Sequence, residues 1–259
     1  MSMSPLTTGS ISMTSGSKIC VLLLCMTLPL WAKASAPEAP RTASPPEAPP
    51  TGSPPEASST ASPPEAPPAA SSSAQTLISA LGRPAPARTA FAEARFMQVL
   101  DRPLVVSGEL AWLGGDQLQR RVDQPNQETA TIANGEVTQQ RAGKKPQHFS
   151  LKRAPQLQVL LDSFVALLSG DAGRLQQAFE IRYTGVASGP WKLVLTPRDA
   201  AVAKSVASIT IDGDGNQSRC MQMQEADGDL AIDLLGPLAA RMPAQPTREA
   251  LQALCQGVH

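Results

Sequence analysis

The pattern of apolar and polar positions changes character several times along the chain. A run of about a dozen mostly apolar residues, Ile19 to Trp31, follows Lys18 and precedes Ala32-Lys33-Ala34. A positive residue, a short apolar core and an A-x-A site together read as a secretory signal peptide over residues 1–34. The run falls short of the ~20 apolar residues that a spanning helix needs. The expectation is therefore an exported, soluble protein, cleaved near Ala34 so that the mature chain begins near Ser35. Residues 35–73 hold almost no large apolar side chain. A nine-residue repeat runs through them, as SAPEA at 35 and SPPEA at 44, 53 and 62. Such a segment buries too little apolar surface to offset its ordering entropy, and its proline pairs favour extended polyproline II. It reads as a disordered linker, serving either as a docking tether or as plain repeat expansion.

From Ala74 to His259 the pattern is that of a folded domain. Ser73 can cap a helix that carries Leu77, Ile78 and Leu81 on one face and stops at Gly82. Period-two alternation follows in Phe91–Leu100, Leu104–Trp112, Leu118–Val122, Glu128–Ala133, Val137–Arg141 and His148–Leu151. Asn134-Gly135 marks a hairpin, since both residues tolerate positive φ. The period then lengthens. Pro155 to Leu168 places Leu157, Leu160, Leu161, Phe164, Val165 and Leu168 at helical spacing, and Pro155 suits a first turn. Asp171 can cap a short helix from Gly173 to Phe179. Strands resume around Trp191–Thr196, Ala207–Ile211, Cys220–Gln224 and Leu230–Leu234, with a turn at Asp212-Gly213-Asp214-Gly215 and another at Asp227-Gly228. Thr247 to Cys255 reads as a last helix. The sum is about ten antiparallel strands in two meanders. The central helix is more apolar than a surface helix needs, which predicts an α+β fold whose helices lie over the concave face of a curved antiparallel sheet.

Composition narrows the chemistry. Twelve of the 25 prolines fall between residues 35 and 73, which separates the linker from the domain. Lys+Arg and Asp+Glu both number 22, so the chain lacks the basic excess that nucleic acid requires. Asp212, Asp214 and Asn216 begin like a calcium loop, but Gln217 stands at the sixth position and Met223 at the twelfth, so a hairpin turn fits better and no metal is expected. His148 is the one internal histidine, and no G-x-S-x-G element supplies a nucleophile. No catalytic residue and no cofactor are expected. The basic residues around it (Arg141, Lys144, Lys145, Lys152, Arg153) form either a solvated hairpin or a face for anionic head groups.

The ordered set of segments resembles the LolA-like periplasmic carriers. It comprises an opening helix, FAEARFMQVLDRPLVVSGELAWLGGDQLQRRVDQPNQETATIANGEV (91–137), a helical insert, WKLVLTPRD (191–199), ITIDGDGN (209–216) and ADGDLAIDLL (226–235). The carried features are a Phe-rich first strand, the Pro-Leu…Ser-Gly-Glu-Leu second strand, a proline in the third-to-fourth strand region, a glycine turn and the Trp-x-Leu-x-Leu-x-Pro strand. The likeness spans roughly residues 75–236 and points to a divergent branch. It implies a half-open, incomplete β-barrel with helices as its lid. It also implies a monomer that takes acylated lipoprotein or lipid cargo from an inner-membrane donor complex to an outer-membrane acceptor. Family members carry Arg-Pro after the second strand, with the arginine closing the lid. Gly114-Gly115 stands there in this chain, so that latch is not implied.

A carrier needs an apolar concavity and no catalytic group. Candidates on the strands are Val106, Leu110, Trp112, Trp191, Leu193, Leu195, Met221, Met223, Ile232 and Leu234, and on the helix Leu160, Phe164 and Leu168. Methionine walls adapt to loosely held cargo. The same residues would equally form a filled core. Cys220 and Cys255 are the two cysteines beyond the leader, and an oxidising compartment would let them pair, although two free thiols fit the sequence as well. A sensor or protein-interaction scaffold on the same fold is the alternative to a carrier.

Overall fold

The computed structural model describes residues 68–257, with side chains described from Ser73. The leader 1–34 and the linker expected up to 73 lie outside the described residues, apart from the start of the first helix. Five α-helices and eleven strands follow in the order α1 (Pro68–Leu81), β1 (Ala87–Phe96), β2 (Leu104–Gly114), β3 (Gln117–Gln124), β4 (Glu128–Ala133), β5 (Glu136–Arg141), β6 (Gln147–Ser150), α2 (Pro155–Ser169), α3 (Ala172–Ala178), β7 (Phe179–Gly185), β8 (Pro190–Pro197), α4 (Ala200–Ala203), β9 (Val206–Asp214), β10 (Gln217–Glu225), β11 (Leu230–Leu235) and α5 (Arg248–Gln256). All the strands join one antiparallel sheet in the order β6-β5-β4-β3-β2-β1-β11-β10-β9-β8-β7. Each meander is built from short hairpins, and pairing of β1 with β11 welds the two halves.

The segment carrying α2 and α3 leaves edge strand β6 and returns at the opposite edge, β7. The sheet is curved, and the helices cross its concave side and pack on both of its halves. The edges stay unpaired with each other, so the barrel is open.

Local chemistry sets the helix ends. Pro155 opens α2, and Gly170 closes it in the left-handed conformation (φ 76°). Asp171 Oδ1 accepts from the Arg174 N–H at the start of α3, and Thr247 Oγ1 accepts from the Ala250 N–H at the start of α5. The ends of α1 and α2 meet through glycines. A Cβ at Gly82 would lie 2.9 Å from the Ser169 carbonyl oxygen, so only glycine lets these helices approach.

Two readings from sequence need correction. Strand β7 replaces what reads as loop after the short helix. Phe179, Ile181 and Tyr183 do alternate, but polar Glu180, Arg182 and Thr184 surround them, because an edge strand keeps one face in water. The turn expected over Asp212–Gly215 lies further on, at Gly215 and Asn216; Asp212 and Gly213 continue β9, and Asp212 is buried. Its carboxylate accepts from Gln222 Nε2 at 2.9 Å and lies 3.5 Å from Lys192 Nζ. Gly213 is needed there because the Trp191 indole fills the place of a side chain. Gly213→Ala is expected to lower stability by about 1–3 kcal/mol through overpacking, read as a reduced urea midpoint with an unchanged slope.

Candidate functional site: the concave face beneath the helices

The register shows which side chains share this face. Tyr183, Leu193, Ile211, Met221 and Asp233 are successive cross-strand partners from β7 to β11, and Ile181, Leu195, Ile209, Met223 and Ala231 form the next row. Leu77 and Ile78 of α1, Leu160 of α2 and Leu175 of α3 pack on these rows in one apolar cluster. A second cluster covers the other half-sheet. Trp112, Leu118, Ile132 and Val137 there meet Leu157, Leu161 and Val165 of α2. Phe164 is only partly buried and packs against both clusters. Helix α2 therefore lies on both apolar patches like a bar, and its high apolar content has this cause.

Trp112 and Trp191 are each tied to a hairpin turn. Trp112 Nε1 donates to the Gly115 carbonyl at 3.0 Å, and Trp191 Nε1 donates to the Gly215 carbonyl at 2.7 Å. Gly114 ends β2 at φ 111° and Gly115 enters the turn at φ 56°, both in the left-handed region that glycine adopts freely, and this turn holds Trp112 under α2.

Most of the candidates from sequence come together on this face. Leu160, Trp191, Leu193, Leu195 and Met223 are buried in the first cluster, and Met221 packs against it. Trp112 and Leu168 belong to the second. Val106 and Leu110 share the face but are half-buried and join neither cluster. Ile232 and Leu234 differ. They point to the convex side, where Leu238, Leu251 and Cys255 cover them. Strand β11 is covered on both faces, so its larger residues did not mark the inner side; Ala231 and Asp233 face inward. Cys220 and Cys255 form a disulfide on that convex side and pin α5 to β10 (Cα–Cα 5.5 Å). His148 is exposed, 3.0 Å from Thr138 Oγ1. A cleft of about 200 Å³ near the disulfide, lined by Trp191, Lys192, Asp212 and Arg219, is separate from the α2 contact.

Sequence reading missed a polar ribbon across the same face. Glu93 and Asp233 are cross-strand partners, both 1% exposed. Arg120 stacks over the Phe91 ring, 4.7 Å from its centre, and its guanidinium reaches Glu93 at 2.8 Å. Arg95, also 1% exposed, pairs with Glu225. Further along, Glu128 holds Arg141 at 2.7 Å and accepts from Gln139 at 2.8 Å. Burial pushes the Glu93 carboxyl up to about 7, against the pull of Arg120 and Arg95. Burial, with Glu93 beside it, holds Asp233 well above the usual range; Glu225 is also raised, chiefly by burial. Neither Asp233 carboxylate oxygen has a hydrogen-bond partner among the described residues. The available signal was Glu93, Arg95 and Asp233 at inward positions of strands whose other face is also apolar.

An open antiparallel sheet with helices laid across its concave face defines the class of half-barrel proteins with a helical lid. The chain belongs to the family described as outer membrane lipoprotein carrier protein LolA-like, which matches residues 66–258. No curated protein matches it by sequence. Among solved structures it is similar to a LolA superfamily protein from Nitrosomonas europaea (9% identity, 64% of this chain and 91% of that one, TM-score 0.37). It is also similar to MucB (14% identity, 71% and 63%, TM-score 0.36) and to LprF from Mycobacterium bovis (13% identity, 67% and 96%, TM-score 0.34).

Proposed function

We propose that this protein is a periplasmic carrier that takes acyl chains of lipoproteins or other acylated lipids between sheet and lid and moves them towards the outer membrane. The observation that supports this most is the seating of α2. One helix with apolar residues on several sides bridges two apolar patches of an open sheet, and its Phe164 is shared between them. Each buried CH₂ of an acyl chain is worth ~0.8 kcal/mol, so a long chain in water costs on the order of 10 kcal/mol. Lifting α2 exposes several side chains worth about 1.5–3 kcal/mol each. An entering chain re-covers the same surface, so the exchange is nearly balanced and cargo can be passed on. Binding and release of this kind need no catalytic residue. The export signal in residues 1–34, the linker of 35–73 and the domain from 74 belong to this reading, as do an inner-membrane donor and an outer-membrane acceptor.

Native mass spectrometry of protein purified from the periplasm without detergent tests it. A stoichiometric acyl lipid is expected on the wild type and is expected to be absent from Phe164→Glu. A clean unliganded mass together with no uptake of added acyl lipid would sink the carrier reading. The alternative, a sensor or scaffold for a protein partner, would then lead.

A further inference from the structure

Asp233 stands at the end of an apolar row. Its cross-strand partner is Met221, followed by Ile211 and Leu193, all on the concave face. At ~4.8 Å per strand the row runs about 14 Å from Asp233 to Leu193, the reach of a medium-length alkyl chain. At the other side of Asp233 lies the charged group of Glu93, Arg95, Arg120 and Glu225. Glu93 is paired with Arg120 and Glu225 with Arg95, while Asp233 belongs to neither ion pair. Its oxygens meet no hydrogen-bond donor among the described residues, although its side chain is buried. A buried carboxylate without a donor is costly, and a cation or donor placed against it is correspondingly favoured.

Building on the carrier reading, we infer that Asp233 is the head-group site between sheet and helices and that it selects an acyl amphiphile bearing a primary ammonium group, with the tail taking the place of the helices along Met221, Ile211 and Leu193. The ammonium supplies the missing charge and donates to the Asp233 oxygens. Burial and the neighbouring Glu93 raise the Asp233 carboxyl well above its ordinary range, against the pull of Arg120 and Arg95, so an ionised Asp233 gains most from a cation placed against it. Glu225 is already engaged by Arg95, and Glu93 by Arg120, so Asp233 is the carboxylate left to receive the cation.

The experiment titrates wild-type protein near neutral pH with dodecylamine, dodecanol and dodecanoate, each below its aggregation concentration. The readout is displacement of an environment-sensitive acyl fluorophore. Dodecylamine is expected to bind at least about tenfold tighter than either of the others. In Asp233→Asn, dodecylamine is expected to lose its advantage over dodecanol, and a far-UV circular dichroism spectrum like that of the wild type reports that the variant is folded. Equal binding of amine and alcohol by the wild type, or an amine preference that survives in Asp233→Asn, would overturn the head-group assignment. Failure of all three amphiphiles and of the fluorophore to bind would instead overturn the carrier reading on which it rests.

Discussion

Replacing both Cys220 and Cys255 by alanine is expected to lower the stability of the oxidised domain by about 2–4 kcal/mol. The bond closes a loop with a sequence separation of 35 residues. In the unfolded chain that closure removes conformational entropy worth about 4 kcal/mol by the loop-length argument, and how well alanine fills the space of each sulfur sets the range. The location matters as much as the magnitude. Both sulfurs sit on the convex side, in the cluster of Ile232, Leu234, Leu238 and Leu251. The bond therefore ties α5 to the sheet without touching α2. The double variant should unfold at lower urea while, on the proposed carrier function, its uptake of acyl lipid equals that of the wild type. A stability unchanged within about 0.5 kcal/mol would show that α5 is held by packing alone. Loss of lipid uptake in a variant that is still folded would show that the convex layer governs the lid.

A second large effect is expected from pH. The Glu93 carboxyl titrates at about 7 in the folded protein against an ordinary value of 4.5. Between these values the folded state holds a proton that the unfolded chain has lost, so stability falls as pH rises. The loss begins near pH 4.5, continues to about 7 and levels off above it. One such group changes stability by up to about 1.4 kcal/mol per pH unit, so Glu93 accounts for on the order of 3 kcal/mol over this window. Asp233 is shifted in the same direction by the same burial and adds to the slope. Arg120 limits the effect, because its ion pair favours the charged form of Glu93. Urea midpoints measured across this window should decline towards neutral pH in the wild type. They should decline less in Asp233→Asn, which removes one titrating carboxyl. A wild-type stability that rises from about pH 5 to 7, or an identical slope in the variant, would contradict the buried cluster.

The sheet was largely legible from the sequence because each hairpin states its own case. Asn134-Gly135 makes a turn with both residues at positive φ, and the flanking strands alternate as a half-buried sheet requires. The caps at Asp171 and Thr247, the proline at the start of α2 and the over-apolar face of that helix were equally local signals. Edge strand β7 escaped because its polar face imitates a loop. The inner and outer faces of β11 were assigned the wrong way round because side-chain size marks a face only when the other face meets water, and β11 is covered on both.

The sequence by itself determined the hairpins of each meander, the helical insert between them and the pair of cysteines available to bond. Those features depend on residues close in the chain, whose spacing fixes turn, cap and period. The tertiary structure alone decided that β1 pairs with β11, that α2 rests on two patches at once, and that Glu93, Arg120, Arg95, Glu225 and Asp233 converge inside the curved sheet. These groups stand up to 140 positions apart, from Glu93 to Asp233. Their charges interact strongly only because curvature removes water from all of them together, and no local spacing encodes that.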